Sequence, residues 1–279
     1  MPLDLPALRD LALRAAEAGA EVVRAARRPG ADAVVAETKG IGDYVTAVDR
    51  AAEVAVLAVL RAGAPHIPVI AEESSASTPV PPDGPAWAVD PVDGTTNFVR
   101  GFPIVGVSVG LLVDGEPAAG AVVAPLLGTG AVAARGHGAH DLDGARLRVR
   151  PPEGRGVAAT GLPFRKPENR ARYRAAFDRI LDEVEDIRRA GAASLDLTWT
   201  AAGVFDGYFE LGLSLWDVAA GGIVVREAGG VVTDWSGDPA GFLISGDVLA
   251  GAPSWHERML DITRTPAALA PAVGGMPWS

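Results

Sequence analysis

Apolar side chains recur at helical spacing over residues 5–28, at Leu8, Leu11, Leu13, Ala16, Val22 and Val23, and Pro29-Gly30 ends the run, which predicts an amphipathic helix. Residues 33–38 read as a strand that Gly40 and Gly42 break. An Ala-, Val- and Leu-rich helical pattern then resumes over 48–62, opened by Thr46-Ala47-Val48-Asp49. Residues 67–71 and 86–90 are short apolar runs bounded by Pro and charge, the pattern of buried strands, and a carboxylate closes each. From 104 to 134 the text is strand-like, with Asp114-Gly115 as a hairpin turn, so an antiparallel meander is expected. The second half predicts helices over 167–185, 193–204 and 216–228, and strands over 207–211, 230–233, 242–245 and 248–252. Helices and strands interleaved beside an antiparallel first sheet predict a layered α+β or α/β architecture rather than a simple doubly wound sheet. One unit is expected over 1–262, with sub-regions 1–150 and 151–262. The Pro-, Ala- and Gly-rich segment 263–279 is expected to be a flexible surface tail.

Composition narrows the function. The chain has 279 residues, 48% hydrophobic and 22% charged, enough apolar material for a large core and no case for disorder. Lys plus Arg number 25 against 35 Asp plus Glu, a formal net charge of −10, which argues against direct nucleic-acid binding. No cysteine is present, so disulfides, thiolate metal sites, iron–sulfur clusters and a Cys nucleophile are excluded together, and a reducing cytoplasm fits. The N-terminal residues lack a basic start followed by an apolar segment. Gly, Pro or charge also cuts each long apolar stretch before about 18 residues, so neither export nor a membrane span is expected.

The chemistry concentrates at element ends. In Asp90-Pro91-Val92-Asp93-Gly94-Thr95-Thr96-Asn97-Phe98, two carboxylates follow a strand that Pro91 is expected to stop. Gly94 and the threonines offer backbone N–H groups where a helix begins, a recipe for holding an anion. Carboxylates beside a phosphate would repel it unless divalent cations lie between them. The same stretch also reads as an Asx-Pro turn with an N-capped helix. Glu72-Glu73 read either as ligands or as a solvated turn. Asp49 and Asp217, each fourth in a Thr/Ser-x-x-Asp pattern, suit helix capping and metal binding equally. Of His66, His137, His140 and His256, only His137 and His140 have loose ligand spacing, and they are expected as exposed loop residues. All-oxygen ligation favours Mg²⁺ or Mn²⁺ over Zn²⁺. Neither a G-x-S-x-G elbow nor a G-x-x-x-x-G-K-[ST] loop is present.

Taken together, these stretches resemble the Mg²⁺-dependent, lithium-sensitive phosphatases typified by inositol monophosphatase. Residues 90–98 look like that family's first signature, and Trp216-Asp217-Val218-Ala219-Ala220-Gly221 running to Glu227-Ala228-Gly229-Gly230 looks like its second. Gly42-Asp43-x-Val45-Thr46-x-x-Asp49, Ala71-Glu72-Glu73-Ser74 and Arg188-Arg189-x-Gly191-Ala192-Ala193-x-Leu195-Asp196-Leu197 are similar to further blocks. The resemblance implies an α-β-α-β-α sandwich, a homodimer and a site at the carboxyl ends of strands. It implies two or three Mg²⁺ ions, with Mn²⁺ able to substitute: Glu72, Asp90 and the Val92 carbonyl on one, Asp90, Asp93 and Asp217 on a second, Glu72 again on a third. Asp49 and Thr95 would orient and deprotonate water, with no covalent enzyme intermediate. Gly94 and Thr95 would receive phosphate oxygens, and Lys39 matches a lysine of a mobile loop. Gly191, Ala192, Ala193 and Glu210 would meet the alcohol portion, although Ala192 departs from the Ser or Thr often found there. Inositol 1-phosphate is the first substrate implied; histidinol phosphate, fructose 1,6-bisphosphate and adenosine 3′,5′-bisphosphate are alternatives. A protein-binding, transcription-associated regulator is the reading from a different class.

Overall fold

The computed structural model describes residues 3–27, 36–40, 43–75 and 77–270. Asp4 opens the first helix, α1 (Leu5–Ala25), by accepting the Ala7 N–H at 3.1 Å. Strands β1 (Ala36–Gly40) and β2 (Asp43–Thr46) form a small antiparallel ribbon that feeds α2 (Ala47–Gly63). Residues 28–35 and 41–42, on which part of the predicted first strand and its Gly42 break fall, lie outside the described residues.

A six-stranded sheet follows, in spatial order β3 (Val69–Ala71), β4 (Pro85–Asp93), β5 (Gly106–Val113), β6 (Glu116–Ala124), β7 (Thr129–Ala134) and β8 (Gly138–Asp141). Only β3 and β4 run parallel; the rest is the expected meander. Asp114 and Gly115 both take left-handed backbone (φ 53° and 76°), the geometry of a two-residue turn matched to strand twist. Alternate residues face opposite ways: Trp87, Val89, Val107, Val109 and Leu111 pack on α1 and α2, whereas Ala88, Leu112 and Val122 meet the helices of the other face. Both faces are buried, which is why these strands read as continuous apolar runs. Gly110 explains the closeness of the inner helices, since a Cβ there would lie 2.8 Å from the Ala219 Cβ.

Between β4 and β5 stands the short helix α3 (Thr95–Arg100). The second half contributes β9 (Val157–Thr160), α4 (Arg170–Glu183), β10 (Asp186–Arg188), α5 (Ala193–Ala201), β11 (Gly207–Glu210), α6 (Leu215–Glu227), β12 (Val231–Thr233), α7 (Gly241–Ser245), β13 (Val248–Gly251), α8 (Pro253–Thr263) and α9 (Pro266–Leu269). Its sheet has the order β10-β9-β11-β13-β12, parallel through β11 and antiparallel beyond. Tyr208, Val232 and Ala250 point inward at α5 and α6, while Phe209 and Leu249 point outward at Tyr173 and Ile180 of α4 and Trp255 and Met259 of α8. The layers are therefore α1 and α2, first sheet, α5 and α6, second sheet, α4 and α8. This is the expected α-β-α-β-α sandwich.

Three local expectations are corrected. Strand β4 does not stop at Pro91. It runs on to Asp93 with one extra residue between the Asp90–Ser108 and Asp93–Gly106 pairs, so proline, which has no N–H to give, sits where the ladder is already interrupted. Residues 242–245 form helix α7 rather than a strand; a run this short has no decisive period, and Gly246 at φ +69° turns the chain straight into β13. The chain also stays packed past Thr263: Ala268 of α9 is fully buried, and the Arg172 guanidinium donates to its carbonyl at 2.9 Å. Residues 271–279, the rest of the expected tail, lie outside the described residues. Strands β8, β9 and β10 and helix α8 were not foreseen. Among the described residues no helix is long and apolar enough to cross a membrane.

Candidate metal centre

Strand β4 delivers Asp90 and Asp93 to its carboxyl end, and the extra residue of the bulge turns both toward the start of α6. The Ser108 hydroxyl of β5 donates to the Trp216 carbonyl at 3.0 Å, fastening that helix start over the strand. Asp90, Asp93 and Asp217 consequently each place one carboxylate oxygen within 4.8 Å of the others. Asp90 and Asp93 are 2% and 8% exposed. Each has protein donors on its flank: the Val92 N–H to Asp90 at 2.9 Å, the Ser214 N–H to Asp217 at 2.7 Å, and the Ser194 N–H and hydroxyl to Asp93 at 2.7 and 2.6 Å.

These donors do not offset the crowding. Burial, then the charges of Glu72, Asp93 and Asp217, hold Asp90 well above the ordinary carboxylate range. Burial raises Asp93 despite its donors and pushes Asp217 up to about 7, with Asp93 adding to the latter. Three crowded acids, Asp90 and Asp93 buried and Asp217 half-buried, must either keep protons or share a cation, and an all-oxygen set suits a hard divalent ion. The residues present therefore fit a divalent metal. Glu72 follows β3, extends its ladder by donating its N–H to the Val89 carbonyl at 3.1 Å, and lies close enough to raise Asp90.

Asp49 belongs to a neighbouring arrangement. It is fully buried at the start of α2, accepts the Thr46 N–H at 2.9 Å and the Thr46 hydroxyl on Oδ2, and lies 3.0 Å from the Thr95 hydroxyl at Oδ1. Burial raises its pKa against these bonds. The Thr95 hydroxyl also lies 3.1 Å from the Val92 carbonyl, so the first residue of α3 joins Asp49 to the β4 bulge. Gly94, at φ +90°, makes the turn into α3, and a Cβ there would lie 2.9 Å from the Ile104 carbonyl.

Gly191, Ala192 and Ala193 come up beside this turn. The Asn97 side-chain amide donates to Ile104 at 2.8 Å and to Ala190 at 2.9 Å, with Gly191 at 3.3 Å, pinning segment 190–192 to α3. Glu210 ends β11 and accepts the Tyr208 hydroxyl at 2.5 Å; burial pushes it up to about 7. Lys39 falls in β1, and its side chain lies outside the described residues. His137 is exposed in the turn before β8, as expected, whereas His140 is half-buried within β8, paired with Val132, and is not the exposed loop residue expected.

The sequence reading missed Ser194, Asn97, the buried Glu53, which accepts the Glu73 N–H at 2.8 Å, and Arg165, whose charge lowers Asp93 and Asp217. Asn97 stands inside the first signature, and Ser194 fills one of the two unassigned positions of the 188–197 block. Those were the available signals. Nothing in local pattern marks Glu53 or Arg165.

Comparison with known proteins agrees with the geometry. The Nus factor SuhB of Escherichia coli strain K12 is 39% identical over 250 residues, covering 85% of this chain and 92% of that one. The Nus factor SuhB of Haemophilus influenzae is 40% identical over 258 residues, covering 91% and 95%. Among solved structures, the extragenic suppressor protein suhB of Bartonella henselae matches with a TM-score of 0.82 at 33% identity, covering 93% of this chain and 99% of that one. An inositol monophosphatase from Anabaena matches at 0.80 and 30%, covering 95% and 98%. The family model described as the inositol monophosphatase family matches residues 4–266, and the chain belongs to that family.

Proposed function

We propose that the protein is a Mg²⁺-dependent phosphomonoesterase acting on a small polyol or cyclitol phosphate, inositol 1-phosphate first. The observation that carries this reading is the convergence of Asp90, Asp93 and Asp217 beside the Asp49–Thr95 pair. Glu72, Asp90 and the Val92 carbonyl would hold one ion, Asp90, Asp93 and Asp217 a second, and Glu72 a third; Mn²⁺ would substitute. Bound there, a divalent ion neutralises phosphoryl oxygens and acidifies a water molecule. Asp49, with its raised pKa, would accept a proton relayed by the Thr95 hydroxyl, which donates to its Oδ1 at 3.0 Å, from an attacking water. The backbone N–H groups of Gly94 and Thr95 face the phosphate, and Gly191, Ala192, Ala193 and Glu210 border the alcohol. Glu210 accepts hydrogen bonds from alcohol hydroxyls when ionised and donates one when protonated. The protein would act in the cytoplasm as a homodimer. Phosphate release from inositol 1-phosphate, histidinol phosphate, fructose 1,6-bisphosphate and adenosine 3′,5′-bisphosphate, each with Mg²⁺, with EDTA and with added Li⁺, tests the reading. Mg²⁺-dependent, EDTA-abolished release that is fastest from inositol 1-phosphate is expected. Silence across the panel in folded protein overturns it.

The SuhB relatives, named as Nus factors, favour a second reading, a regulator of transcription complexes. At a net charge of −10 the contact would be with protein rather than RNA. A stoichiometric protein partner retained through affinity purification would support it, and efficient turnover with no partner would count against it.

A further inference from the structure

Helix α5 begins at Ala193 after Ala192, which has no side-chain oxygen to cap it. The cap comes from another element. Asp93 Oδ2 takes the Ser194 N–H at 2.7 Å and the Ser194 hydroxyl at 2.6 Å. The hydroxyl occupies a place that β5 leaves open: Gly106 is the ladder partner of Asp93, and a Cβ on it would lie 2.6 Å from the Ser194 Oγ. Ser194 is fully buried, so no bulk water competes for its proton.

We infer that Ser194 is a positioning residue for the metal centre. Its hydroxyl and N–H hold Oδ2 against the start of α5, which restricts the Asp93 side-chain torsion and would orient the carboxylate toward a bound cation. Such outer contacts orient ligands that would otherwise sample several rotamers, and losing them typically weakens metal binding roughly 10–100-fold. The same two bonds tie the centre to the adjoining segment 191–193, which on the proposed reading borders the alcohol, so ion and substrate pocket would be registered through one residue. The inference rests on the reading of Asp93 as a ligand.

The test is Mn²⁺ binding to the full chain, followed by electron paramagnetic resonance of the free ion, for wild type, Ser194→Ala and Ser194→Cys. The thiol is somewhat larger than the hydroxyl and leaves no cavity, but is a weak donor, so it covers the case in which the space left by alanine disturbs the fold. Both variants are expected to bind Mn²⁺ about 10-fold or more weakly, with thermal midpoints near wild type, and their turnover is expected to recover as Mg²⁺ is raised. Thr200→Ala is the control. Thr200 is buried on the same helix and donates to the Asp196 carbonyl at 2.8 Å, away from Asp93, so its loss should leave Mn²⁺ affinity unchanged. Wild-type affinity in both Ser194 variants overturns the role of Ser194 while leaving the metal reading standing. A wild-type protein that binds no Mn²⁺ overturns both.

Discussion

Helices α2 and α6 open with the same four-residue pattern, Thr46-x-x-Asp49 and Ser214-x-x-Asp217. In both, the aspartate accepts the N–H of the residue that starts the pattern, at 2.9 and 2.7 Å. Beyond that bond they diverge. The other side chains that Asp49 meets are the hydroxyls of Thr46 and Thr95, whereas Asp217 presents an oxygen to two other carboxylates. A capping pattern sets a carboxylate at a helix start, where the helix dipole favours it. What the β4 bulge and α3 bring opposite differs, a hydroxyl at Asp49 and further acids at Asp217, and on the proposed reading this would make the first a proton acceptor and the second a cation holder.

The sharpest way to break this contrast is to neutralise each aspartate in turn. Asp217→Asn and Asp93→Asn should lose metal binding and, with it, several kcal/mol of charge stabilisation, a fall of roughly 10³-fold or more in kcat/KM. Asp49→Asn should fall roughly 10²–10⁴-fold in kcat, the usual worth of a proton acceptor, and still bind Mn²⁺. Calorimetric titration with Mn²⁺ separates the two. If Asp49→Asn binds no metal, or Asp217→Asn binds it normally, the two helix starts share one role.

Thr95→Ala probes the junction between the regions. With the hydroxyl gone, the proposed relay from water to Asp49 would be broken while Asp90, Asp93 and Asp217 keep their places, so kcat should drop roughly 10–100-fold with metal affinity nearly unchanged. Thr95→Ser should restore most of the rate. Unchanged kcat in the alanine variant removes Thr95 from the reaction.

The strands of the first sheet were legible because they are local and nearly continuous, and the Asp114-Gly115 turn because only left-handed backbone fits it. Each site acid was legible as an element end. Their convergence came only with the family resemblance and not from pattern or propensity, since it needs a register irregularity at Pro91 that propensity reads as a stop, and a bond from Ser108 to Trp216 across 108 residues. Ser194 escaped for the same reason: it lies on α5, and its neighbours Asp93 and Gly106 belong to β4 and β5, far away in sequence. Short strands such as β9 and β10 pair in parallel with distant partners, and three or four residues carry too little periodicity to declare themselves.

The smallest effect is one of sign, in the metal-free protein. Asp217 is pushed up to about 7, so the folded chain keeps a proton between about pH 4 and pH 7 that the unfolded chain has released. That stabilisation is present at low pH and lost as pH rises through 7; Glu210, also near 7, acts in the same direction. His256 acts oppositely. The Thr233 hydroxyl donates to the Asp234 carbonyl at 2.7 Å, so at 2.9 Å the His256 Nε2 must be the donor of a neutral ring, and burial lowers its pKa to about 4. Its contribution is lost as pH falls from about 6.5 toward 4, so wild type alone shows a mixture of slopes. Comparing variants removes the mixture. At about pH 8 without metal, Asp217→Asn should be more stable than wild type by about 1–2 kcal/mol, the partial exposure of Asp217 discounting a larger shift, and the gap should close by about pH 4. Asp49→Asn should be less stable by about 1 kcal/mol, because an amide cannot accept at both positions and sets an NH₂ against a donor. Added Mg²⁺ should raise the wild-type midpoint and leave that of Asp217→Asn in place. Thermal unfolding at the two pH values reads all of this, and two variants shifting in the same direction would show that the helix starts differ less than their partners indicate.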